Sequence, residues 1–260
     1  MTLKCSQIIS HIETLAPLDL CEEWDNCGLA AGDPDREIDR VLVALDVTED
    51  VVDEAVKSKA GLIVSHHPLL FNPLRNICTY LPHGRLIQKI LASDLCVYSA
   101  HTNLDRCKGG VNDTLAEKMG LTDIQVLFPS QKDEAVGLGR IGVLKVPMKL
   151  VNLVEKVKQD LQVSHLRMIG SVKGPIPKIA VVGGAYPGGA GEIKETGAQV
   201  LVAGDIKYHD ALDILANGLC AIDAGHFATE RVIIPVLAQY IRKLGVEVLE
   251  AGEQDRYRVM

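Results

Sequence analysis

Two histidines, His66 and His67, stand side by side in the run Gly61-Leu-Ile-Val-Ser-His-His-Pro68. An apolar segment that runs straight into paired imidazoles and a proline is either a polar turn or part of a site that needs imidazole nitrogens. Successive side chains of extended chain point apart, and Pro68 holds His67 in β or polyproline geometry. Two such imidazoles chelate a single ion poorly, but each can reach one of two neighbouring ions. Other chemically capable residues follow apolar runs in the same way: His101 and Asp105, then Asp205, Lys207 and His209, then Asp223, His226 and Glu230. His226 and Glu230 are four apart, so on a helix they share a face and converge on one ion. Taken singly, each residue has an ordinary reading, and the last pair alone is a solvated helix edge. As a set, His66, His67, Asp105, His226 and Glu230 read as a metal site.

Three imidazoles and two carboxylates are too few donors for two ions unless a carboxylate bridges them and water fills the rest. Open, water-filled positions mark a catalytic site more than a closed structural one. Imidazole with carboxylate suits zinc, iron, manganese, cobalt or nickel better than calcium. Two divalent transition-metal ions are therefore expected, with Glu230 as the bridge and Asp105 as its rival.

These residues need elements that bring them together. Ile8, Ile9, Ile12 and Leu15 give a helix over 4–16, ended by Pro17. Arg40-Val-Leu-Val-Ala-Leu-Asp-Val is a buried-strand run, and Thr48-Glu49-Asp50 opens a helix that closes near Gly61. Strands then follow at 62–65, 95–99, 178–182, 200–203 and 220–223, alternating with helices near 83–93, 111–119, 190–196 and 208–217. The last helix is long and starts near His226. Between them, GLGRIGVLKVP reads as a strand and KLVNLVEKVKQDL as an amphipathic helix. Strand–helix alternation with near-continuous apolar strands means an α/β fold with largely parallel sheets. In such sheets ligands lie beyond the strands' carboxyl ends, where all the candidate residues fall. Gly183-Gly-Ala-Tyr-Pro-Gly-Gly-Ala-Gly191 follows a strand and opens a helix, so it reads as a phosphate cradle or as a plain turn. His11 and His165 read as structural and His83 as a helix-start residue.

The bulk of the chain narrows the function. Its 260 residues, 47% hydrophobic and 23% charged, suit a packed globular protein of one or two domains. No run is long enough to span a membrane, and Lys4, His11 and Glu13 interrupt the apolar positions that a signal peptide needs. Seven cysteines without a CxxC pair read as reduced thiols, which places the protein in the cytoplasm. A net charge of −7 disfavours nucleic acid as a partner.

Five motifs in order resemble one family. Glu23-Trp-Asp-Asn-Cys-Gly-Leu29, Ser65-His-His-Pro-Leu69, His101-Thr-Asn-Leu-Asp105, Gly204-Asp-Ile-Lys-Tyr-His209 and Gly225-His-Phe-Ala-Thr-Glu230 are similar to the NIF3-like family, in its short bacterial form. Its members carry the label GTP cyclohydrolase 1 type 2 homolog. The resemblance implies two interlaced α/β lobes, a dinuclear metal centre and a hexameric ring. Its ligand positions fall on the same five residues, with His101 beside the centre. The lobes are expected at 1–126 plus 225–260, carrying most ligands, and at 127–224. The leading function is a metal-dependent hydrolase of a nucleotide or phosphoester-type small molecule, with His101 or His209 moving protons. The alternative is a non-enzymatic metal-binding, metal-delivery or interaction ring.

Overall fold

The computed structural model describes residues 1–258, in two compact units. The first comprises Met1–Cys107 and Ile234–Gln254, and the second Lys108–Ile233 and the segment from Asp255. The chain thus enters the second unit, returns to the first and leaves it again. The expected boundaries differ: 108–126, 225–233 and the segment from Asp255 group with the second unit. The helix Val111–Lys118 buries Leu115 and Ala116 in one cluster with Ile179, Val181 and Ala228 of that unit.

In the first unit a five-stranded sheet runs in the order Glu247–Glu250, Arg40–Ala44, Leu62–Ser65, Cys96–Ser99, Gly28–Ala31. The first four strands are parallel and Gly28–Ala31 closes the edge antiparallel. Leu42, Val43, Ile63, Val64 and Val97 have no exposed surface, because strands covered on both faces are apolar at every position. The helix Glu49–Ser58 starts where Thr48 Oγ1 accepts from the Val51 amide, with Glu49 and Asp50 in its first turn. It ends on Lys59 in the left-handed region and lays Val51, Val52 and Ala55 on the sheet cluster. Each fully buried aliphatic side chain of this kind contributes about 1.5–3 kcal/mol.

The second unit is built on a six-stranded mixed sheet, in the order Leu121–Pro129, Gly137–Met148, Ile176–Ala185, Val200–Gly204, Cys220–Asp223, Arg167–Ile169. Only its middle three strands are parallel; the other three pair antiparallel, so the sheet is less parallel than expected. The helix Leu150–Leu161 buries Leu153, Val157 and Leu161 at four-residue spacing against Ile176, Ile179 and Val200. Arg140 lies buried here, ion-paired with Asp113 while its Nη1 donates to the Gly137 and Gly139 carbonyls, each at 2.8 Å.

The long helix expected from His226 is two helices, His226–Glu230 and Ile233–Arg242. Pro235 lacks the amide that would bond the Arg231 carbonyl, so it is accommodated in the first turn of a new helix. Among the described residues no helix is long and apolar enough to cross a membrane.

Candidate metal centre

The register of the first sheet brings its histidines together. Ser65 pairs with Ser99, so the two strands end level with each other. Their hydroxyls lie 2.9 Å apart, and Ser65 donates to the His67 carbonyl at 2.7 Å. The chain leaving one strand gives His66 and His67, and the chain leaving the other gives His101. The ring centroids of the three imidazoles lie 5.0–5.6 Å apart. One nitrogen of each falls within 4.8 Å of the others, a grouping able to hold a metal ion. Asp105, in the short helix Thr102–Arg106, places Oδ1 3.6 Å from His66 Nε2.

The other ring nitrogens decide which tautomer each histidine adopts. His66 Nδ1 lies 2.9 Å from the Ala100 carbonyl, His67 Nδ1 2.8 Å from Asp46 Oδ1, and His101 Nδ1 2.8 Å from Asp25 Oδ1. Carbonyl and carboxylate oxygens only accept, so each Nδ1 carries the hydrogen. In the neutral rings Nε2 is left with a bare lone pair, the form in which imidazole binds a metal. His66 is fully buried, and Asp105 is 7% exposed.

Asp25 is the most heavily bonded of these partners. Besides His101 it accepts from the Asn26 amide at 2.7 Å, the Thr102 amide at 3.1 Å and the Thr102 hydroxyl at 2.5 Å. Cys27 and Cys21 also direct their thiols at its Oδ2. Burial pushes the Asp25 carboxyl upward, but the bonds from His101 and Thr102 outweigh it and hold the group well below the usual carboxylate range. Burial also raises the Cys27 thiol, which here donates to Asp25.

In the second unit the strands Val200–Gly204 and Cys220–Asp223 end level, Ala203 pairing with Asp223. Beyond them His226 and Glu230 share one face of their helix, with Nε2 and Oε2 2.9 Å apart. His226 Nδ1 lies 2.9 Å from Asp205 Oδ2, which fixes the same tautomer as in the first unit. Glu230 is 4% exposed. At that distance His226 Nε2 and the Glu230 carboxylate can share a proton or hold a metal ion. The nitrogen–oxygen chemistry of both sets fits a divalent transition metal.

The glycine-rich run plays a part different from a phosphate cradle. Its Gly183 and Gly184 amides are committed to Asn112 Oδ1 at 2.9 Å and Thr229 Oγ1 at 3.0 Å. Gly184, at φ +71, leaves room for Glu230: a Cβ there would lie 1.9 Å from its Oε1. Asp223 is structural, accepting from Arg167 and from the Ile206 and Gly225 amides. Beside it a cavity of about 580 Å³ is lined by His165, Arg167, Asp205, His226 and Tyr257. His165 therefore stands exposed at a cavity, not in the packed setting expected for it, whereas His11 is structural and stacks on Tyr240 at 4.3 Å. His83 is the second residue of the helix Pro82–Ala92. His209 is exposed beside Tyr208 and belongs to none of the donor groupings found among the described residues. Asp25 and Asp46 were not singled out from the sequence. Asp46 follows the strand Arg40–Ala44 and had the signal of a carboxylate at a strand's carboxyl end, and Asp25 sat unassigned within Glu23-Trp-Asp-Asn.

The fold and donor sets define an α/β protein with histidine–carboxylate groupings able to bind metal. The family model for Duf34/NIF3 (NGG1p interacting factor 3) matches residues 3–255, and the chain belongs to that family. A relative from Clostridium perfringens, named GTP cyclohydrolase 1 type 2 homolog, is 38% identical over 241 residues, covering 93% of this chain and 92% of its own. The crystal structure of a Bacillus cereus protein related to NIF3 superposes with a TM-score of 0.94 at 29% identity, over 99% of both chains. Reduced HcgD from Methanocaldococcus jannaschii gives a TM-score of 0.83 at 32% identity, over 97% of this chain and 99% of its own.

Proposed function

We propose that the protein is a metal-dependent hydrolase that binds two divalent transition-metal ions through His66, His67, Asp105, His226 and Glu230. The observation that carries this reading is the common state of four histidines. His66, His67, His101 and His226 each commit Nδ1 to an acceptor, and buried carboxylates stand beside Nε2 of His66 and of His226. Bound divalent ions would supply Lewis acidity and lower the pKa of water. The protein's own groups do the rest. Asp46, Asp205 and the Ala100 carbonyl hold the ligand rings in one tautomer and orientation. Glu230 would supply negative charge to the bound cations. His101, anchored on Asp25, takes or gives the proton at Nε2. His209 lies outside these donor groupings. The substrate is a nucleotide or phosphoester-type small molecule, in line with the name of the relatives. The setting is the cytoplasm and the assembly a hexameric ring.

The experiment is a panel of nucleotides and phosphoesters offered to protein stripped with chelator and then reloaded with zinc, manganese or iron. Turnover in reloaded protein alone, lost in His101→Ala assayed with metal in saturating excess, supports the reading. Full metal binding without turnover across the panel transfers the protein to the alternative, metal delivery or interaction.

A further inference from the structure

Beside the imidazoles of the first unit lies an exposed pair of aromatic rings that the proposed chemistry leaves unused. Trp24 and Phe71 have ring centroids 5.8 Å apart at 59°, and each packs near-perpendicular to His101, at 6.4 and 6.3 Å. Trp24 is 61% exposed and Phe71 52%. Aromatic residues are scarce in this chain, with one tryptophan and three phenylalanines, so two adjacent exposed rings are not ordinary surface. The backbone beneath them is firmly tied. Asn26 Nδ2 donates to the Leu70 carbonyl at 2.7 Å, joining the two segments that bear the rings. Asp25, next to Trp24, is anchored on His101 and Thr102. Two open rings whose flanking segments are tied together in this way form a stacking platform.

We propose that Trp24 and Phe71 bind the heteroaromatic base of a nucleotide or nucleoside, presenting the rest of that molecule to His101 and its neighbours. This rests on the nucleotide reading given above and names the part of the substrate that is gripped. Every base has a π-face, and stacking on an aromatic side chain is worth about 1–3 kcal/mol per base. The grip falls on the base, because the faces offered are aromatic, Glu23 is exposed beside Trp24 and the nearby Arg106 is already paired with Glu22. A protein partner seated on the rings would instead close the approach to His101, which they flank.

Trp24 is the chain's single tryptophan, so its fluorescence reports on the platform directly. Chelator-stripped full-length protein is titrated with inosine, inosine 5′-monophosphate and ribose 5-phosphate, with excitation at the red edge of the indole band. Both inosine compounds are expected to quench saturably with similar affinities, and ribose 5-phosphate not at all. Phe71→Ala, with its circular dichroism unchanged, is expected to weaken the inosine titration at least about fivefold. Absence of saturable quenching by inosine overturns the proposal, as does equal quenching by ribose 5-phosphate. A blue-shifted emission that moves to the red on dilution also overturns it, since a second copy would then cover Trp24. Because no metal is present, the result stands apart from metal uptake, whose failure counts against the proposed centre and not against the platform.

Discussion

Gly184→Ala probes the space in which the Glu230 carboxylate sits. The residue holds φ +71, and an added Cβ lies 1.9 Å from Glu230 Oε1 and 2.8 Å from its Cδ. Two separate penalties follow. A residue with a Cβ in the left-handed region loses about 1–2 kcal/mol. Pushing a 4%-exposed carboxylate away by about an ångström adds overpacking strain of about 1–3 kcal/mol. A total near 3 kcal/mol lowers Tm by about 6–12 °C for a chain of this size. If Glu230 swings aside the strain is smaller, but its Oε2 then leaves His226 Nε2, and metal affinity falls by about 10–100-fold or more. Calorimetry of stripped protein and competition titration with zinc separate the two outcomes. Gly188→Ala is the control, since Gly188 has φ +97 with nothing within 4 Å of an added Cβ, so only the backbone penalty applies. If Gly184→Ala matches Gly188→Ala in both Tm and zinc affinity, the reasoning is refuted.

Other substitutions test the partners of the donor sets. Asp25→Asn removes the charge that orients His101 and leaves buried donors badly matched, for a loss of about 3 kcal/mol at pH 7. The folded Asp25 carboxyl is depressed, so its stabilisation is fully present above its ordinary value near 4 and fades only as pH falls below that. The Tm gap between wild type and Asp25→Asn is therefore expected to be constant from pH 5 to 7 and to narrow below about pH 4; a gap that widens in acid contradicts the assignment. Glu230→Gln is expected to release most of both metals with the fold intact, whereas His66→Ala or His67→Ala weakens one ion more than the other; metal content beside thermal melting checks this, and full retention in Glu230→Gln passes the bridging role to Asp105. Arg140→Met leaves the Asp113 carboxylate without its counter-charge and should cost about 3 kcal/mol, read by urea unfolding. Light scattering is expected to give six copies, and a monomer across the micromolar range refutes the ring.

The parts of the fold that could be read in the sequence are those written by local pattern. The strand Leu62–Ser65 and the helices at 49–58 and 150–161 follow from apolar runs, capping residues and four-residue spacing. The antiparallel edges were not read. Gly28–Ala31 is a strand only because it pairs with Cys96–Ser99, far along the chain. Leu121–Pro129 does alternate in burial, yet its pairing with Gly137–Met148 is what makes it a strand. The break between His226–Glu230 and Ile233–Arg242 had a signal, Pro235, that the apolar pattern on either side masked. Within the donor sets, residue types and strand ends pointed to the histidines, Asp105 and Glu230. Their carboxylate partners Asp25, Asp46 and Asp205 act through hydrogen bonds to Nδ1 across 76, 21 and 21 positions, respectively, and no spacing rule reports such pairs. The role of Gly184 is equally invisible in sequence, because it is defined by a carboxylate 46 positions away.

These imidazoles and carboxylates are expected to hold metal. Elemental analysis of protein purified without chelator, repeated after incubation with zinc, manganese or iron and removal of excess, tests it most directly. About two ions per chain are expected, falling to near zero in Glu230→Gln. Protein that contains no metal as purified and takes up none on incubation contradicts the account.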